Sequence, residues 1–206
     1  MNQLQVCSYL KEKLGFSDLS VKKLQIFQNS LLDYNTKYNL IAKSTEKNIW
    51  LRHILDSAQL ISHIDKKIEH ICDFGTGGGF PGLILCMFDL DHKFHVKLYE
   101  KSPIKCDFLM KMKDKLDINF QLEENVYSKK ITTDLIVARA FKKLSEIIKI
   151  SREMVIGPHK IILLKGKNAQ TEINKVGLEP NYRYKLFKSI TDRDSKILSI
   201  DAKKNE

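Results

Sequence analysis

Apolar residues recur at helical spacing through the first third of the chain. This spacing predicts a short helix over residues 3–14 and a longer amphipathic helix over residues 19–38. The apolar side of the longer helix is formed by Leu24, Phe27, Leu31, Tyr34 and Tyr38. We expect both helices to belong to an N-terminal helical cap that spans residues 1–65 and packs on the rest of the protein.

A third helical pattern, STEKNIWLRHILDSAQLISHI, covers residues 44–64 and starts at a Ser-Thr pair suited to N-capping. Its polar side carries His53, Asp56 and Ser57 at spacings i, i+3 and i+4, so the three side chains share a face on which they can hydrogen-bond one another. A solvated face with local bonding and a functional site explain this pattern equally well. The apolar side is predicted to be Leu51, Ile54, Leu55, Ala58 and Ile61.

From residue 66 onward, short strand patterns alternate with helical ones. One helix is predicted to have Pro81 in its first turn, and another to start at Ser102-Pro103. A third helix follows the strand at 134–139 and ends at about Met154, and a fourth spans residues 168–176. This alternation predicts an α/β domain over residues 66–206, with helices on both faces of its sheet. The strands are predicted at residues 71–73, 93–100, 118–122, 134–139, 159–166, 183–190 and 196–202, the last two as an antiparallel pair.

The segment ICDFGTGGGFPG, residues 71–82, ends an apolar strand in five glycines within eight residues. Glycine has no Cβ, so this loop can adopt positive φ angles and let a ligand approach the backbone closely. Gly77, Gly79 and Gly82 also match the G-x-G-x-x-G pattern of dinucleotide sites, but a carboxylate from Asp73 at the loop mouth would repel phosphate. The loop therefore favours a cationic ligand such as S-adenosylmethionine. The alternative is a tight turn in a protein without a nucleotide.

Polar residues stand where the predicted parallel strands end. Glu100 ends the second strand, so it should face the ligand crevice and accept hydrogen bonds from both ribose hydroxyls. The loop at residues 123–127 follows the third strand and suits contacts with an adenine base. Arg139 ends the fourth strand at the same edge, although pairing with a nearby acid is the alternative role. Lys165 ends the fifth strand.

The chain carries a formal net charge of +10, which favours a polyanionic partner because lysine and arginine release counterions from phosphates. Thirty of its thirty-five basic residues are lysine, so a general compositional bias is the alternative explanation. Its 206 residues suit one domain of ordinary size.

Targeting and metal-binding signals are not recognisable. No apolar run approaches the roughly 18 residues that a membrane helix needs, and the first residues lack the apolar core of a signal peptide. The four cysteines are scattered, with no C-x-x-C pair and no histidine at ligand spacing. We therefore expect a cytoplasmic protein with no membrane partner, no disulfide framework and no metal.

With these motifs in place, the chain resembles the RsmG family, formerly called GidB, of bacterial methyltransferases that modify guanine N7 in the 530 loop of small-subunit ribosomal RNA. The resemblance covers nearly the full length. It implies a class I, Rossmann-like fold that binds S-adenosylmethionine and releases S-adenosylhomocysteine. The matching motifs are YNLIA at 38–42, LRHILDS at 51–57, DFGTGGGFPG at 73–82, ARAF at 138–141 and LLKG at 163–166.

The family places the donor against residues that match Gly75, Phe80, the loop after the third strand, and Arg139. This chain has Asn125, Val126 and Tyr127 where the family usually has arginine, a small or aliphatic residue, and glutamate, and an alignment on Glu124 and Asn125 is also possible. The predicted donor-binding residues are Asp73, Gly75, Thr76, Gly77, Gly79, Phe80, Glu100, Asn125, Val126, Tyr127 and Arg139.

The resemblance implies methyl transfer to guanine N7 of 16S rRNA, free or in a small-subunit assembly particle, by a monomeric enzyme. Guanine N7 already holds a lone pair, so we expect no proton-transfer residue; His53, Asp56 and Lys165 are predicted to position the substrate. No Asn- or Asp-Pro-Pro-aromatic run follows the fourth strand, and there is no Pro-Cys nucleophile. The alternatives are an NAD-binding oxidoreductase, which dinucleotide rather than S-adenosylhomocysteine would stabilise, and a non-catalytic RNA-binding module without donor affinity.

Overall fold

Seven strands form one central sheet in the computed structural model, which describes residues 1–91, 93–178 and 182–202. Two short strands form a separate parallel pair that the sequence pattern did not predict. The sheet strands are β1 (His70–Phe74), β2 (His95–Tyr99), β3 (Gln121–Glu123), β5 (Leu135–Arg139), β7 (His159–Lys165), β8 (Arg183–Lys188) and β9 (Lys196–Ala202), and the separate pair is β4 (Ile131–Thr132) with β6 (Val155–Ile156).

The strand order is β3-β2-β1-β5-β7-β9-β8. All neighbours are parallel up to β7, and β9 is antiparallel to both β7 and β8, which confirms the predicted terminal antiparallel pair. The connections from β1 lead to β2 and β3 on one side, whereas β5 lies on the other side of β1. The strand order therefore reverses between β1 and β5, and a crevice opens at the carboxyl ends of these two strands.

Helices cover both faces of the sheet, as the alternation of patterns predicted. Successive strand residues point to opposite faces: Ile71 packs in a cluster with Leu85, whereas Cys72 packs in a cluster with Leu144. Near-continuous burial of the central strands follows from this two-sided cover. The α-helices are α1 (Gln3–Leu14), α2 (Asp18–Asn35), α3 (Asp56–Ala58), α4 (Gly82–Phe88), α5 (Pro103–Leu116), α6 (Leu144–Met154) and α7 (Ala169–Val176).

The helix at the end of the N-terminal pattern stops three residues earlier than predicted. α2 ends at Asn35, and Tyr38 lies beyond it with 40% of its surface exposed. The buried side chain of Asn35 accepts hydrogen bonds from the amides of Leu40 and Ile41 and donates one to the Ile41 carbonyl. These bonds turn the chain out of the helix, because they satisfy backbone groups that a further helical turn would otherwise use.

The segment predicted as one α-helix over residues 44–64 changes pitch three times. It runs as a 3₁₀ helix at Lys43–Asn48, a π-helix at Trp50–Leu55, α3, and a second 3₁₀ helix at Gln59–His63. Neither residue of the Ser-Thr pair caps it, since Ala42 occupies the N-cap position. The prediction of a single regular helix was wrong because apolar spacing does not distinguish turns of different pitch.

The N-terminal helices share one apolar cluster with the core. Leu10 of α1 and Phe27 of α2 are fully buried together with Leu83 of α4 and Phe108 of α5. The division into a cap over residues 1–65 and a domain over residues 66–206 stays a prediction, and residues 92, 179–181 and 203–206 of that domain lie outside the described residues. No helix within the described part of the chain is long and apolar enough to cross a membrane.

Candidate functional site

A cavity of about 980 Å³ opens at the carboxyl ends of β1, β2 and β5. It lies where the strand order reverses, which is the usual ligand position in an open α/β sheet. Its walls come from six parts of the chain: the segment 40–56, the glycine loop, the β2–α5 junction, the loop after β3, the end of β5 with the residues after it, and the loop between β8 and β9. They include Leu40, Ile41, Thr45, Arg52, His53, Asp56, Gly75, Thr76, Gly77, Phe80, Glu100, Asn125, Val126, Tyr127, Arg139, Phe141 and Thr191.

The glycine loop forms the floor of this cavity through backbone rather than side chains. Gly75 and Gly77 have φ angles of +71° and +62°, which side-chain-bearing residues rarely adopt. A Cβ at Gly75 would overlap the ring of Phe141, whereas one at Gly77 would meet no atom closer than 3.9 Å. The amide of Thr76 donates to the Tyr99 carbonyl at 3.0 Å, which fixes the loop to the end of β2.

Asp73 lies beneath the cavity, not at its mouth as predicted. Its side chain is fully buried, and Oδ2 accepts a hydrogen bond from the Gly82 amide at 2.7 Å. Asp73 points to the face that α4 covers, because side chains along β1 alternate between faces and Ile71 points that way too. The predicted contact between the Asp73 carboxylate and a cationic donor therefore stays a prediction, and the position of Asp73 does not favour it.

Two buried polar atoms under the glycine loop have no hydrogen-bond partner among the described residues: Oδ1 of Asp73 and Oγ1 of Thr76. Burial raises the pKa of Asp73 to about 7, although neighbouring hydrogen-bond donors and the Arg139 charge oppose that rise. The carboxyl group is therefore divided between its neutral and charged forms at neutral pH.

Gly79 is also absent from the cavity wall. A Cβ at this position would lie 2.6 Å from Cδ1 of Leu83 in α4, and the φ angle is +100°. Glycine here lets the loop pass closely over the first turn of α4. The predicted donor contact at Gly79 has no support from its placement.

Glu100 occupies the predicted junction between β2 and α5 and lines the cavity. It is 8% exposed, and its two oxygens accept hydrogen bonds from the amides of Gly77 at 3.0 Å and Ser102 at 2.8 Å. Each carboxylate oxygen has a further lone pair, so both retain acceptor capacity. The geometry allows ribose binding, which stays a prediction.

The loop after β3 also lines the cavity. Val126 is 5% exposed, Tyr127 is half exposed, and Asn125 folds back so that Oδ1 accepts from the Tyr127 amide at 2.9 Å. This Asn-centred turn shows that the departure from the family pattern still produces an ordered wall. Contact with an adenine base stays a prediction.

Arg139 is the central cation of the cavity, as its strand-end position predicted. Its guanidinium donates to the Arg52 carbonyl at 3.0 Å and to Nδ1 of His53 at 2.7 Å, and it lies 3.6 Å from Oδ2 of Asp56. It also stacks over the ring of Phe80, 4.9 Å from the centroid. Both sequence-based roles are therefore partly visible: Arg139 lines the cavity and is paired with an acid.

His53, Asp56 and Ser57 do not hydrogen-bond one another, which corrects the expectation from their spacing. His53 contacts Thr45 and Arg139. Asp56 accepts hydrogen bonds from Gln59 of its own segment and from Thr191, and it lies near Arg139. Oγ of Ser57 is buried without a partner among the described residues. The change of pitch within the segment separates side chains that a regular helix would align.

Burial, followed by the charges of Arg139 and Arg52, lowers the pKa of His53 to about 3. Burial raises the pKa of Asp56, although Thr191 and both arginines oppose that rise. His53 is therefore neutral over the physiological range, and it does not supply a proton-transfer group that titrates near pH 7.

The hairpin loop between β8 and β9, residues 189–195, completes this corner and was not foreseen. Oγ1 of Thr191 donates to Asp56 at 2.7 Å, and Arg52 forms an ion pair with Asp192 at 2.7 Å. The side chain of Gln59, which is 3% exposed, accepts a bond from the Ile190 amide. A buried glutamine on an otherwise apolar side was the one sequence signal for this docking.

Lys165 does not join His53 in the main cavity, contrary to prediction. Its ammonium pairs with Glu172 at 2.8 Å, and burial alone would raise the pKa of Glu172, but the bonds from Lys165 and the Leu144 amide lower it. The side chain lines an adjoining cavity of about 470 Å³, which shares Asp56 and Arg139 with the main one. The α7 carboxylate draws Lys165 away from the ligand crevice.

No group of three His, Cys, Asp or Glu side chains close enough to hold a metal ion occurs within residues 1–91, 93–178 and 182–202.

Sequence comparisons connect this chain with named proteins. A model of the family described as GidB, rRNA small subunit methyltransferase G, matches residues 20–195. The protein named Ribosomal RNA small subunit methyltransferase G from Rickettsia felis is 36% identical over 87% of this chain and 92% of its own length. The protein of the same name from Orientia tsutsugamushi is 32% identical over 95% and 98%.

Structural comparisons support the fold. Cofactor-bound Rv0187 from MTB matches with a TM-score of 0.67 and 14% identity over 100% of this chain and 99% of its own. The O-methyltransferase from Bacillus cereus in complex with SAH matches with a TM-score of 0.63 and 13% identity over 96% and 97%. At such low identity these likenesses concern the fold alone, and they confirm the predicted Rossmann-like class.

Proposed function

The chain belongs to the rRNA small subunit methyltransferase G family, and from this premise we propose that it transfers a methyl group from S-adenosylmethionine to guanine N7 in the 530 loop of 16S ribosomal RNA. The other product is S-adenosylhomocysteine. The observation that carries the proposal is a glycine-floored cavity at the strand-order reversal in a chain of this family. We further propose that the enzyme acts as a monomer in the cytoplasm.

The residues of the cavity fit the donor. A Cβ built on Gly77 would have its nearest neighbour, the Gly75 carbonyl oxygen, 3.9 Å away, so there is free space beside the loop. Glycine backbone also lets a ligand approach closely. Glu100 offers two partly used carboxylate oxygens to ribose hydroxyls, and the loop at 124–127 offers an ordered wall to the adenine. Arg139 offers guanidinium donors to the donor carboxylate.

When bound, S-adenosylmethionine supplies an electrophilic methyl group. The protein's own task is to bind, orient and exclude water, because guanine N7 needs no base to remove a proton before it accepts a methyl group. His53 is a weak proton acceptor, because its pKa is lowered to about 3 and both of its ring nitrogens are engaged by Thr45 and Arg139, which agrees with a site that works without proton transfer. Phe80 and Phe141 add apolar wall to this cavity.

The RNA is proposed to approach over the adjoining cavity. Its lining includes Lys142, Lys143, Lys165 and Lys196, against the acids Asp56 and Glu172. Excess positive charge beside the donor cavity suits a phosphodiester backbone. The net charge of +10 adds a general attraction for RNA.

The proposal is tested by methyl transfer from radiolabelled donor to 16S rRNA and to small-subunit particles that lack the modification, with chemical cleavage at 7-methylguanosine to locate the product. We expect label at one guanine of the 530 loop. Transfer to protein or small molecules but not to 16S rRNA refutes the proposal. Calorimetry with S-adenosylhomocysteine and NAD separates it from an oxidoreductase.

A further inference from the structure

Three hydrogen bonds in series link the backbone at Ala42 to the guanidinium of Arg139. Oγ1 of Thr45 donates to the Ala42 carbonyl at 2.7 Å, and Nε2 of His53 lies 2.7 Å from Oγ1 of Thr45. Nη2 of Arg139 lies 2.7 Å from Nδ1 of His53. The series crosses from the 3₁₀ helix at Lys43–Asn48 through the π-helix to the end of β5.

Only one proton arrangement satisfies all three bonds. A guanidinium can only donate, so Nδ1 of His53 must be the acceptor and the imidazole proton must lie on Nε2. Nε2–H then donates to the Thr45 hydroxyl, whose own proton already goes to the Ala42 carbonyl. The histidine is thus fixed as one neutral tautomer by its neighbours on both sides.

The charged groups around His53 preserve this state. Arg139 of β5 and Arg52 of its own segment both oppose a positive charge on the ring, and they lower its pKa together with burial. Asp56 is the acid of this corner, and it is already engaged by Thr191 and Arg139. A doubly protonated ring would also lose the Arg139 bond, because it has no acceptor.

We propose that Thr45 and His53 are positioning residues, which hold the guanidinium of Arg139 in one orientation in the donor cavity. That the ligand which Arg139 meets there is the methyl donor rests on the proposed function. The ring of Phe80 packs against the guanidinium, and the Arg52 carbonyl accepts a hydrogen bond from Nη1. The bond to His53 fixes Nη2. The remaining N–H groups of the five that a guanidinium carries are then aimed before a ligand arrives.

This series of bonds couples the position of the cavity wall at residues 40–45 to the orientation of the Arg139 guanidinium. Leu40 and Ile41 line the cavity directly before Ala42, where the series of bonds begins. A shift of the 40–45 segment therefore moves the acceptor that orients Arg139. Thr45, which the sequence suggested only as a helix cap, connects this wall segment to His53 and through it to Arg139.

The test compares Thr45→Val with Thr45→Ser. Valine keeps the shape but removes the hydroxyl, so we expect S-adenosylhomocysteine affinity to fall about 3- to 10-fold by calorimetry, because Arg139 must then be ordered on binding. Serine keeps the hydroxyl and should restore affinity to within about twofold of wild type. RNA binding without donor should stay unchanged in both variants.

Thr36→Val is the matched control. The Thr36 hydroxyl also donates to the carbonyl three residues earlier, that of Asp33 at 2.6 Å, but it is exposed and outside the cavity wall. We expect donor affinity in this variant to equal that of wild type. An equal loss in Thr36→Val and Thr45→Val, or no recovery in Thr45→Ser, overturns the proposal.

A second measurement does not depend on activity. In protein with ¹⁵N-labelled histidine, the His53 signals can be identified among six histidines by their loss in His53→Asn. We expect the neutral Nε2–H tautomer from pH 5 to pH 8. An Nδ1–H tautomer, or titration near the usual pKa of ~6.5, overturns the proposal. If wild type fails to methylate 16S rRNA, the proposed function fails, while both of these readouts still decide the role of Thr45 and His53.

Discussion

The two ends of the donor cavity are built on opposite principles. At one end, the arginine corner (Arg52, His53, Asp56, Arg139 and Thr191), nearly every polar group is engaged by a partner from a different element. The arginine corner is therefore pre-arranged before a ligand arrives.

At the other end, the glycine corner (Asp73, Gly75, Thr76, Gly77 and Glu100), the backbone carries the shape and two buried polar atoms lack described partners. One carboxyl group there has a pKa of about 7, whereas the histidine of the arginine corner stays neutral. The difference predicts that the pH dependence of donor binding near neutral pH comes from Asp73 in the glycine corner and not from His53.

The largest expected effect breaks the glycine corner outright. Gly75→Val places a β-branched side chain at φ +71° and against Phe141, which adds a left-handed backbone cost of ~1–2 kcal/mol to an overpacking cost of ~1–3 kcal/mol. We expect S-adenosylhomocysteine affinity to fall roughly 100-fold by calorimetry. Gly77→Ala, at φ +62° but without a clash, should lose only about fivefold. Equal losses would show that space at Gly75 is unimportant.

Breaking the arginine corner should cost somewhat less. Arg139→Met leaves Asp56 and Nδ1 of His53 without their cationic donor, so we expect turnover or donor affinity to fall about 10- to 100-fold. Arg52→Met removes an ion pair whose arginine is half exposed, and it should lose less than about fivefold. Steady-state kinetics with 16S rRNA separates the two variants. A larger loss in Arg52→Met would contradict the central role given to Arg139.

A pH series sharpens the contrast between the corners. Asp73 lies beneath the glycine loop and does not line the cavity, but its charge still acts on a cationic donor across the loop. Because Asp73 is protonated below a pKa of about 7, donor affinity should rise by up to ~10-fold from pH 6 to pH 8 in wild type. Asp73→Asn should flatten this rise, and the amide still accepts from Gly82. A slope that persists in Asp73→Asn would assign the titration to another group.

The same carboxyl group sets a direction for stability. Its pKa in the folded protein is above the unfolded value, so its contribution is full below about pH 4 and is lost as the pH rises through about 7. Wild type should therefore lose thermal stability relative to Asp73→Asn across that window. His53 acts oppositely: its lowered pKa removes stability as the pH falls below about 6.5.

The smallest expected effect lies outside both corners, at Lys165. Because this ammonium is already paired with Glu172, Lys165→Ala should weaken RNA binding only about two- to fivefold and lower the salt slope by less than ~0.9. Lys149→Ala is the control, since Lys149 is exposed and pairs with Glu153 on α6. Identical slopes in both variants would remove Lys165 from the RNA path.

Local patterns predicted the glycine corner more completely than the arginine corner. The glycine run and the strand ending at Glu100 are features of one short stretch, and the sheet topology brings them together at the expected edge. The direction of Asp73 was missed, although strand alternation from Ile71 already pointed it toward α4.

Of the arginine corner, the sequence predicted three of the five members and, of their bonding, only the alternative pairing of Arg139 with an acid. His53, Asp56 and Arg139 were expected near the cavity, but the partners that fix them depend on a change of helical pitch and on a distant hairpin loop. Neither leaves a periodic signal in the sequence, because apolar spacing reports which side is buried and not which polar atoms meet. Lys165 was misplaced for the same reason.

The hairpin loop also sets when, during synthesis, the arginine corner can close. Asp56 and Thr191 are 135 residues apart along the chain, and Arg52 and Asp192 are 140 apart. At ribosomal rates of about 5–20 residues per second, roughly 7–28 s pass between the addition of Arg52 and that of Asp192. A nascent chain can thus form its glycine loop before the hairpin loop is synthesised. The bonds of Asp56 and Arg52 to the hairpin loop form only after Thr191 and Asp192 have been added.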